Sequence, residues 1–143
     1  MLAPLHAAEI SLRGTLQVIN CSVNNGKPTD VSFGEAVGVN KVDGVRYRQP
    51  MPLEITCSQS PGNLLHLMFA GTPTDFDKAA IATGMNDLGI RLLQDDMPIE
   101  INQTLPIDDQ LLPAFFAVPV KRPKSQLTGG TFSGLATLMI SLE

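Results

Sequence analysis

The chain closes with Gly130-Thr131-Phe132-Ser133-Gly134-Leu135-Ala136-Thr137-Leu138-Met139-Ile140-Ser141-Leu142-Glu143. In this stretch an apolar or small residue stands at every second position, from Phe132 to Leu142. Such alternation is typical of a β-strand with one buried face, because successive side chains of a strand point to opposite faces. The other face is mostly polar, with Leu135 and Met139 as apolar exceptions. The stretch therefore predicts a strand whose buried face is fixed by its sequence.

Strand patterns recur along the rest of the chain, whereas a long amphipathic helix is predicted nowhere. The strand candidates are residues 10–18, 31–33, 53–57, 63–70, 88–93 and 113–120. Clusters of Asn, Gly, Ser and Pro at 24–28, 58–62 and 71–73 predict the turns between them. Residues 77–82 allow one helical turn at most. About seven short strands separated by frequent turns predict an all-β, two-sheet antiparallel sandwich.

Length and composition favour one globular domain. The 143 residues, of which 43% are apolar and 17% charged, suffice for a single core and are too apolar for a disordered chain. The net charge of −4 gives no electrostatic reason to bind nucleic acid or an anionic membrane. No apolar run approaches the roughly 18 residues of a membrane span. We therefore expect neither nucleic-acid binding nor membrane insertion.

The two cysteines, Cys21 and Cys57, lack the short spacing of paired zinc ligands. A disulfide between them would close a loop of about 36 residues and add roughly 4 kcal/mol of stability. That interpretation fits an oxidising compartment such as the periplasm. The alternative is a pair of buried free thiols in a cytosolic protein.

The first eight residues, 1–8, are uncharged and end in Ala7-Ala8. Small residues at that place resemble the cleavage site of a secretory signal peptide. We expect residues 1–8 to be the remnant of a longer leader, with the mature chain beginning near Ala8 or Glu9. An ordinary frayed terminus is the alternative.

A second alternating stretch lies near the start of the chain, at residues 10–18. Its apolar face consists of Ile10, Leu12, Gly14, Leu16 and Val18. An unpaired strand this apolar is an aggregation hazard. Two hypotheses follow: the strand is the first strand of its own sandwich, or it pairs with the sheet of another molecule.

Four features together resemble the pilins of chaperone–usher fimbriae, over residues 8–143. They are the alternating segment 10–16 with its central glycine, Cys21-Ser22-Val23 with a partner at Cys57, the segment Leu88-Gly89-Ile90-Arg91-Leu92-Leu93, and the closing stretch 130–143. The resemblance implies an incomplete immunoglobulin-like sandwich that lacks its last strand, with a hydrophobic groove open along the final strand.

The resemblance also implies how such a chain functions. In the family a periplasmic chaperone lends a strand to the groove, and at the outer-membrane usher the N-terminal extension of the next subunit replaces it. The chain would then pass through the periplasm into a fimbrium on the cell surface, where we expect it to be a minor or adaptor subunit; a rod subunit and a terminating subunit are the alternatives. Residues 9–18 would be the donor extension and residues 19–143 the pilin domain. Such a subunit is not an enzyme and needs no cofactor.

Site residues transfer from the resemblance by position. The donor side chains would be Ile10, Leu12, Leu16 and Val18, with Gly14 where the groove is too shallow for a side chain. The acceptor edge, also bound by the chaperone, would comprise Phe132, Gly134, Ala136, Leu138, Ile140 and Leu142. Cys21 and Cys57 would form the disulfide. One departure is Leu142, where the family usually has an aromatic residue; leucine keeps the apolar face but lowers the ring area available to the chaperone.

A different class of function remains open: a self-contained secreted sandwich that binds a ligand or carbohydrate as a monomer. An enzyme finds little support. His66 lies within a strand pattern, and the neighbouring carboxylates of Asp95-Asp96 and of Asp108-Asp109 point apart on an extended chain. The string Gly130-Thr131-Phe132-Ser133-Gly134 has its serine one place too late for a nucleophile elbow. The sequence therefore predicts no catalytic residue and no metal site.

Overall fold

The computed structural model describes residues 7–16, 20–58 and 64–142. Of Leu142 only the backbone is described. Within these ranges lie ten β-strands: β1 (Cys21–Val23), β2 (Gln49–Pro50), β3 (Ile55–Cys57), β4 (Leu64–Ala70), β5 (Ala80–Ala82), β6 (Leu88–Gln94), β7 (Met97–Pro98), β8 (Thr104–Asp108), β9 (Phe115–Lys121) and β10 (Thr137–Leu142). A 3-10 turn at Asn24–Gly26 is the sole helical element of the described residues. The all-β prediction is confirmed.

All strand pairs are antiparallel. One sheet has the order β10-β4-β8, and a larger one has the order β2-β9-β6-β5, with β7 paired to the end of β6. The short strands β1 and β3 pair with each other. Strands β5, β6 and β7 follow each other within the larger sheet, whereas β4, β8 and β10 of the smaller sheet come from separate parts of the chain. Two antiparallel sheets are what the predicted sandwich requires.

The core lies between the inner faces of the sheets. On β4 the buried side chains are Leu65, Leu67 and Phe69, each at most 3% exposed, while the intervening side chains face outward. The Phe69 ring meets the Phe115 ring of the larger sheet at a centroid distance of 5.9 Å. Each such side chain stabilises the fold by about 1.5–3 kcal/mol relative to exposure, so this layer joins the sheets firmly.

The outer face of the larger sheet is also covered. Val118 is fully buried there and packs with Leu93 and Val120 under Phe116 and Phe76. The guanidinium of Arg48 lies 3.9 Å from the centroid of the Phe116 ring. This second cluster explains why β9 reads as a nearly continuous apolar run: both of its faces are buried.

The disulfide between Cys21 and Cys57 is confirmed. The two residues are direct partners in the β1–β3 register, with Cα atoms 4.1 Å apart. Backbone bonds continue the pairing beyond the strands, since the Ser58 amide donates to the Asn20 carbonyl at 2.8 Å. The start of the domain is thereby fixed to the strand pair.

Three strand predictions are confirmed almost to the residue, those for β4, β6 and β9. The prediction for 31–33 is wrong, because no strand includes these residues; Val31 and Phe33 nevertheless pack against the core. The helical turn allowed for 77–82 is also wrong, since Ala80–Ala82 pairs with β6 as strand β5. The alanines of this short edge strand show no clear hydrophobic periodicity, so the sequence does not distinguish a strand from a helical turn.

Candidate functional site: an open groove beside the final strand

Strand β10 is paired along one edge only. Its register runs from Thr137 opposite Ala70 to Leu142 opposite Leu65, both pairs with β4. Among the described strands none pairs with the other edge of β10. A sheet edge of this kind presents unpaired N–H and C=O groups to any extended chain that approaches it.

The side chains of the final stretch alternate as its sequence predicts. Ala136, Leu138 and Ile140 are half-buried and pack against the core, whereas Met139 is 54% exposed and Leu135 is 84% exposed. The open edge of β10 therefore has one apolar face directed inward. The side chain of Leu142, the last predicted member of this face, lies outside the described part of the structure.

An apolar groove of about 660 Å³ runs beside this edge. Its base consists of core residues, among them Phe69, Ile81 and Leu92. One wall is formed by β10, and the opposite wall by side chains from β1 and from the irregular segments before and after β2. The residues of that opposite wall are Cys21, Val23, Val31, Phe33, Met51 and Leu53. The groove thus leaves the half-buried apolar side chains of its two walls open to solvent along one strand.

The acceptor edge predicted for 132–142 is a strand only from Thr137 onward. Strand β4 ends at Ala70, the partner of Thr137, so the preceding residues have no strand beside them. They cross instead toward the larger sheet, where a Cβ on Gly134 would stand 3.0 Å from Cγ2 of Ile81. Gly134 and Ala136 still line the groove, but as part of an irregular segment.

Phe132 lies at one end of the groove rather than along it. Its ring stacks on that of Phe33 at a centroid distance of 6.1 Å. Next to this contact lies a second depression of about 820 Å³, which is lined mainly by residues of the segments 30–37 and 130–134 and is more polar than the groove. The ring pair therefore joins the two segments that border the groove.

The described part of the N-terminal segment, residues 7–16, does not line this groove. Residues 7–16 are exposed and form no strand; Ile10 is 80%, Leu12 89% and Leu16 102% exposed. A Cβ on Gly14 would find no atom within 4 Å. Val18, the last predicted donor residue, lies outside the described residues.

Charged side chains near the surface form ion pairs. Arg122, part of the basic string Lys121-Arg122-Pro123-Lys124, donates to Asp87 at 2.8 Å and to Asp75 at 2.6 Å. The bond to Asp87 and then that to Asp75 raise the pKa of Arg122 above its ordinary value. In the described ranges no three His, Cys, Asp or Glu side chains converge on a possible metal position. No described helix has the length and apolarity of a membrane span.

A family model described as "Fimbrial protein" matches residues 10–143 of the chain. The chain belongs to the fimbrial protein family. The fimbrial-like protein YfcQ of Escherichia coli is 33% identical over 96% of this chain and 90% of its own length. The fimbrial adapter PapF of Escherichia coli is 28% identical over 65% of this chain and 55% of that protein.

Solved structures show the same fold. The P pilus rod subunit PapA aligns with a TM-score of 0.70 at 17% identity, covering 86% of this chain and 99% of that one. The P pilus adaptor subunit PapF aligns with a TM-score of 0.61 at 24% identity, over 86% and 95% of the two chains. The predicted incomplete immunoglobulin-like sandwich is confirmed by this fold. The fimbrial protein family to which the chain belongs consists of structural subunits and not of enzymes.

The sequence predicts one wall of the groove, the final strand, and does not predict the other. Met51 and Leu53 continue the alternation of the strand pattern at 53–57, so period two was the available indication for these residues. Val31 and Phe33 alternate as well, although the strand predicted there does not exist. Nothing in the sequence indicates that these residues face β10 across an open space.

Proposed function

We propose that this fimbrial subunit assembles by exchanging β-strands with its neighbours. Residues 9–18 act as a donor strand for the groove of the preceding subunit. The groove beside β10 receives the corresponding extension of the next subunit. Before assembly a periplasmic chaperone lends a strand to the same edge, and the exchange takes place at the outer-membrane usher.

One observation supports this proposal above the others: the chain combines an open apolar groove with an alternating apolar segment whose described residues, 10–16, lie outside that groove. Ile10, Leu12 and Leu16 are at least 80% exposed, and the groove leaves half-buried apolar side chains such as Phe33 and Leu138 open to solvent. Each surface is unfavourable alone. Joining them in a neighbour buries both, and the backbone of the donor completes the hydrogen bonds of the β10 edge.

Register follows from the same alternation. With Ile10, Leu12, Leu16 and Val18 directed into a groove, Gly14 occupies the central position and the polar side chains between them face outward. A slip by one residue would direct Ser11 and Arg13 into an apolar space, which costs several kcal/mol for an unpaired charge. Pairing in a single register is therefore strongly favoured.

The alternative hypothesis, a monomeric binding module, requires that the first strand pair within its own domain. Residues 7–16 make no such pairing in the structure, and residues 17–19 are not among the described ones. Without that strand the groove would remain open to water in the finished protein. The alternative therefore has no observation in its favour.

A strand-complementation experiment tests the proposal. The protein without residues 1–18, in complex with its chaperone, is mixed with a peptide spanning residues 8–18, and a Gly14→Arg peptide is the control. We expect the native peptide to displace the chaperone and to raise the melting temperature. At a peptide concentration a hundredfold above Kd, binding should raise the free energy of unfolding by about 2.7 kcal/mol. A truncated domain that is stable alone and ignores both peptides would contradict the proposal.

We propose further that the position in the fibre is that of a minor or adaptor subunit. The similarity in sequence to the fimbrial adapter PapF supports this assignment. Quantitative immunogold labelling of purified fimbriae distinguishes the positions. An adaptor gives one or a few labels at one end, whereas labels repeated along the whole shaft would identify a rod subunit.

A further inference from the structure

We propose that the outer face of the smaller sheet binds a soft monovalent cation, Cu(I), through His66, Met68 and Met139. These residues belong to β4 and β10, the two strands that lie beside the groove. The groove is on the inner face of the same strands, so the proposed site does not depend on strand exchange.

The three side chains share one face of the sheet. On β4, His66 and Met68 alternate with the buried side chains of Leu65 and Leu67 and are themselves half-buried. Because successive side chains of a strand point to opposite faces, His66 and Met68 face outward. Met139 of β10 is 54% exposed on the same outer face. The cluster is therefore accessible to an ion from solution.

The strand register brings the three side chains together. Met139 lies directly opposite Met68 in the pairing of β10 with β4. The Cβ atoms of such opposed residues are about 4.5–5.5 Å apart, and diagonal neighbours such as His66 and Met139 are about 7–8 Å apart, within reach of long side chains. A methionine side chain has three rotatable bonds. Both sulfur atoms and the imidazole can therefore turn toward one point above the sheet.

The ligand atoms determine which ion such a site would hold. Two thioether sulfurs and an imidazole nitrogen are uncharged, and thioethers select Cu(I) among the biological metal ions. Zinc sites are built from thiolates, imidazoles and carboxylates, and Ca²⁺ and Mg²⁺ require oxygen ligands. Uncharged ligands would also leave the charge of a divalent ion uncompensated. The ligand set therefore favours a soft ion with a single charge.

The residues that flank the cluster on the neighbouring strands are uncharged. Ser141 and Pro106 are the register partners of His66, and Thr104 is the partner of Met68 on the side of β8. None of the three supplies a carboxylate that would attract a divalent ion. Both cysteines of the chain are joined in the disulfide, so no thiolate competes for a soft cation.

Met97 offers a matched control. It is 69% exposed and hence more accessible than Met139. Its register partner on β6 is Gln94, so its sulfur does not lie opposite a second methionine. A cation that binds any exposed thioether would bind Met97 as readily as the cluster.

Methyl NMR of the full-length chain tests the inference. Ag(I) in chloride-free buffer is the probe, because it has the charge and softness of Cu(I) and is not oxidised by air. The methionine methyl groups are labelled with carbon-13 and followed during the titration. We expect the methyl signals of Met68 and Met139 and the imidazole signals of His66 to shift and to saturate at one ion per chain. The methyl signal of Met97 should stay in place.

Two variants measure the contribution of the cluster to affinity. Loss of a residue that merely supports a metal ligand lowers affinity by about 10–100-fold. Removal of a ligand in Met139→Leu should therefore weaken Ag(I) binding by at least about tenfold in competition with a chelator of known affinity. Leucine has nearly the volume of methionine, so the fold is retained. Met97→Leu, the control, should bind Ag(I) as the wild-type protein does.

Every other result overturns the inference. Equal shifts of Met97, Met68 and Met139 would show adventitious binding to any accessible thioether. Unchanged affinity of Met139→Leu, or a shift of His66 alone, would show that the opposed methionines do not form a site. Zn²⁺ binding as tight as that of Ag(I) would disprove the assignment to a soft monovalent ion.

Discussion

The ring of Phe33 stacks on the ring of Phe132, with centroids 6.1 Å apart and planes inclined by 25°. Neither residue belongs to a strand, and almost 100 positions of the chain separate them. The contact joins the irregular segment on the far wall of the groove to the segment that precedes β10. It thus links the two segments by side-chain packing at this end of the groove.

Loss of this contact should be measurable. For Phe132→Ala we expect a decrease of about 2 kcal/mol in the free energy of unfolding, of which ring stacking accounts for roughly 0.5–1.5. Urea unfolding of the full-length chain gives the value. Leu135→Ala is the matched control, since its side chain is 84% exposed and should cost less than about 0.5 kcal/mol. Equal losses would show that the ring pair contributes nothing specific.

The close approach at Gly134 gives a second prediction. A Cβ there would stand 3.0 Å from Cγ2 of Ile81 and 3.3 Å from Cδ1 of Ile90. We expect Gly134→Val to destabilise the protein by about 1–3 kcal/mol, because a packed core resists added volume. Gly129 has no atom within 4 Å of such a Cβ, so Gly129→Val should be nearly neutral in the same thermal melts. Indistinguishable melting temperatures would refute the packing argument.

Much of one wall of the groove was predictable from the sequence, because it depends on local alternation. Leu138 and Ile140 face inward and Met139 outward, as period two requires. Val31 and Phe33 have the same pattern without a strand. A strand needs a partner as well as a pattern, and no described strand pairs with these residues, which lie across the groove from β10. Local periodicity contains no information about that vacancy, which only the resemblance to the pilins predicted.

Two of the longer strands, β8 and β9, contain an internal proline, which is unusual within a sheet. Pro106 lies in the middle of β8, a strand that the sequence patterns do not predict. The proline is tolerated there because β8 is an edge strand in the order β10-β4-β8. Pro119 lies within β9 opposite Ile90. The pairing of β2 with β9 ends at Ala117, so one side of Pro119 needs no hydrogen bond from it.

The disulfide gives a third prediction. Cys21 and Cys57 are 36 positions apart, and closing a loop of that length stabilises a fold by roughly 4 kcal/mol in the chain-entropy model. We expect the Cys21→Ser, Cys57→Ser double variant to lose about that amount in urea unfolding. The wild-type protein in reductant provides the control and should show a similar loss. Retention of full stability in both samples would contradict the prediction.

Asp43 gives a prediction of pH dependence. Its carboxylate accepts hydrogen bonds from the backbone amides of Arg46 and Val45. These bonds, the one from Arg46 more than the one from Val45, lower the pKa of Asp43 from its ordinary value of 3.8. A lowered pKa stabilises the folded loop above pH 3.8, and this contribution disappears as the pH falls through the folded pKa. We expect the NMR shifts of the Val45 and Arg46 amides to titrate below pH 3.8. The Asp43→Asn variant should show no such titration, and a midpoint above 3.8 would be inconsistent with these bonds.

Two adjacent residues of β10 provide the most selective test of the groove. Ile140 packs inward against the core and Met139 is 54% exposed on the other face, while both belong to the same paired backbone. An aspartate at 140 would place an unpaired charge in the apolar groove, at a cost of several kcal/mol once a donor strand excludes water. We therefore expect Ile140→Asp to abolish uptake of the 8–18 peptide and Met139→Asp to retain it. Circular dichroism establishes that both variants are folded before peptide binding is compared by calorimetry. If both variants bind the peptide, the face of β10 that lines the groove does not receive the donor strand. If neither binds, the loss does not depend on which face carries the charge, and the groove-facing role of Ile140 is not supported.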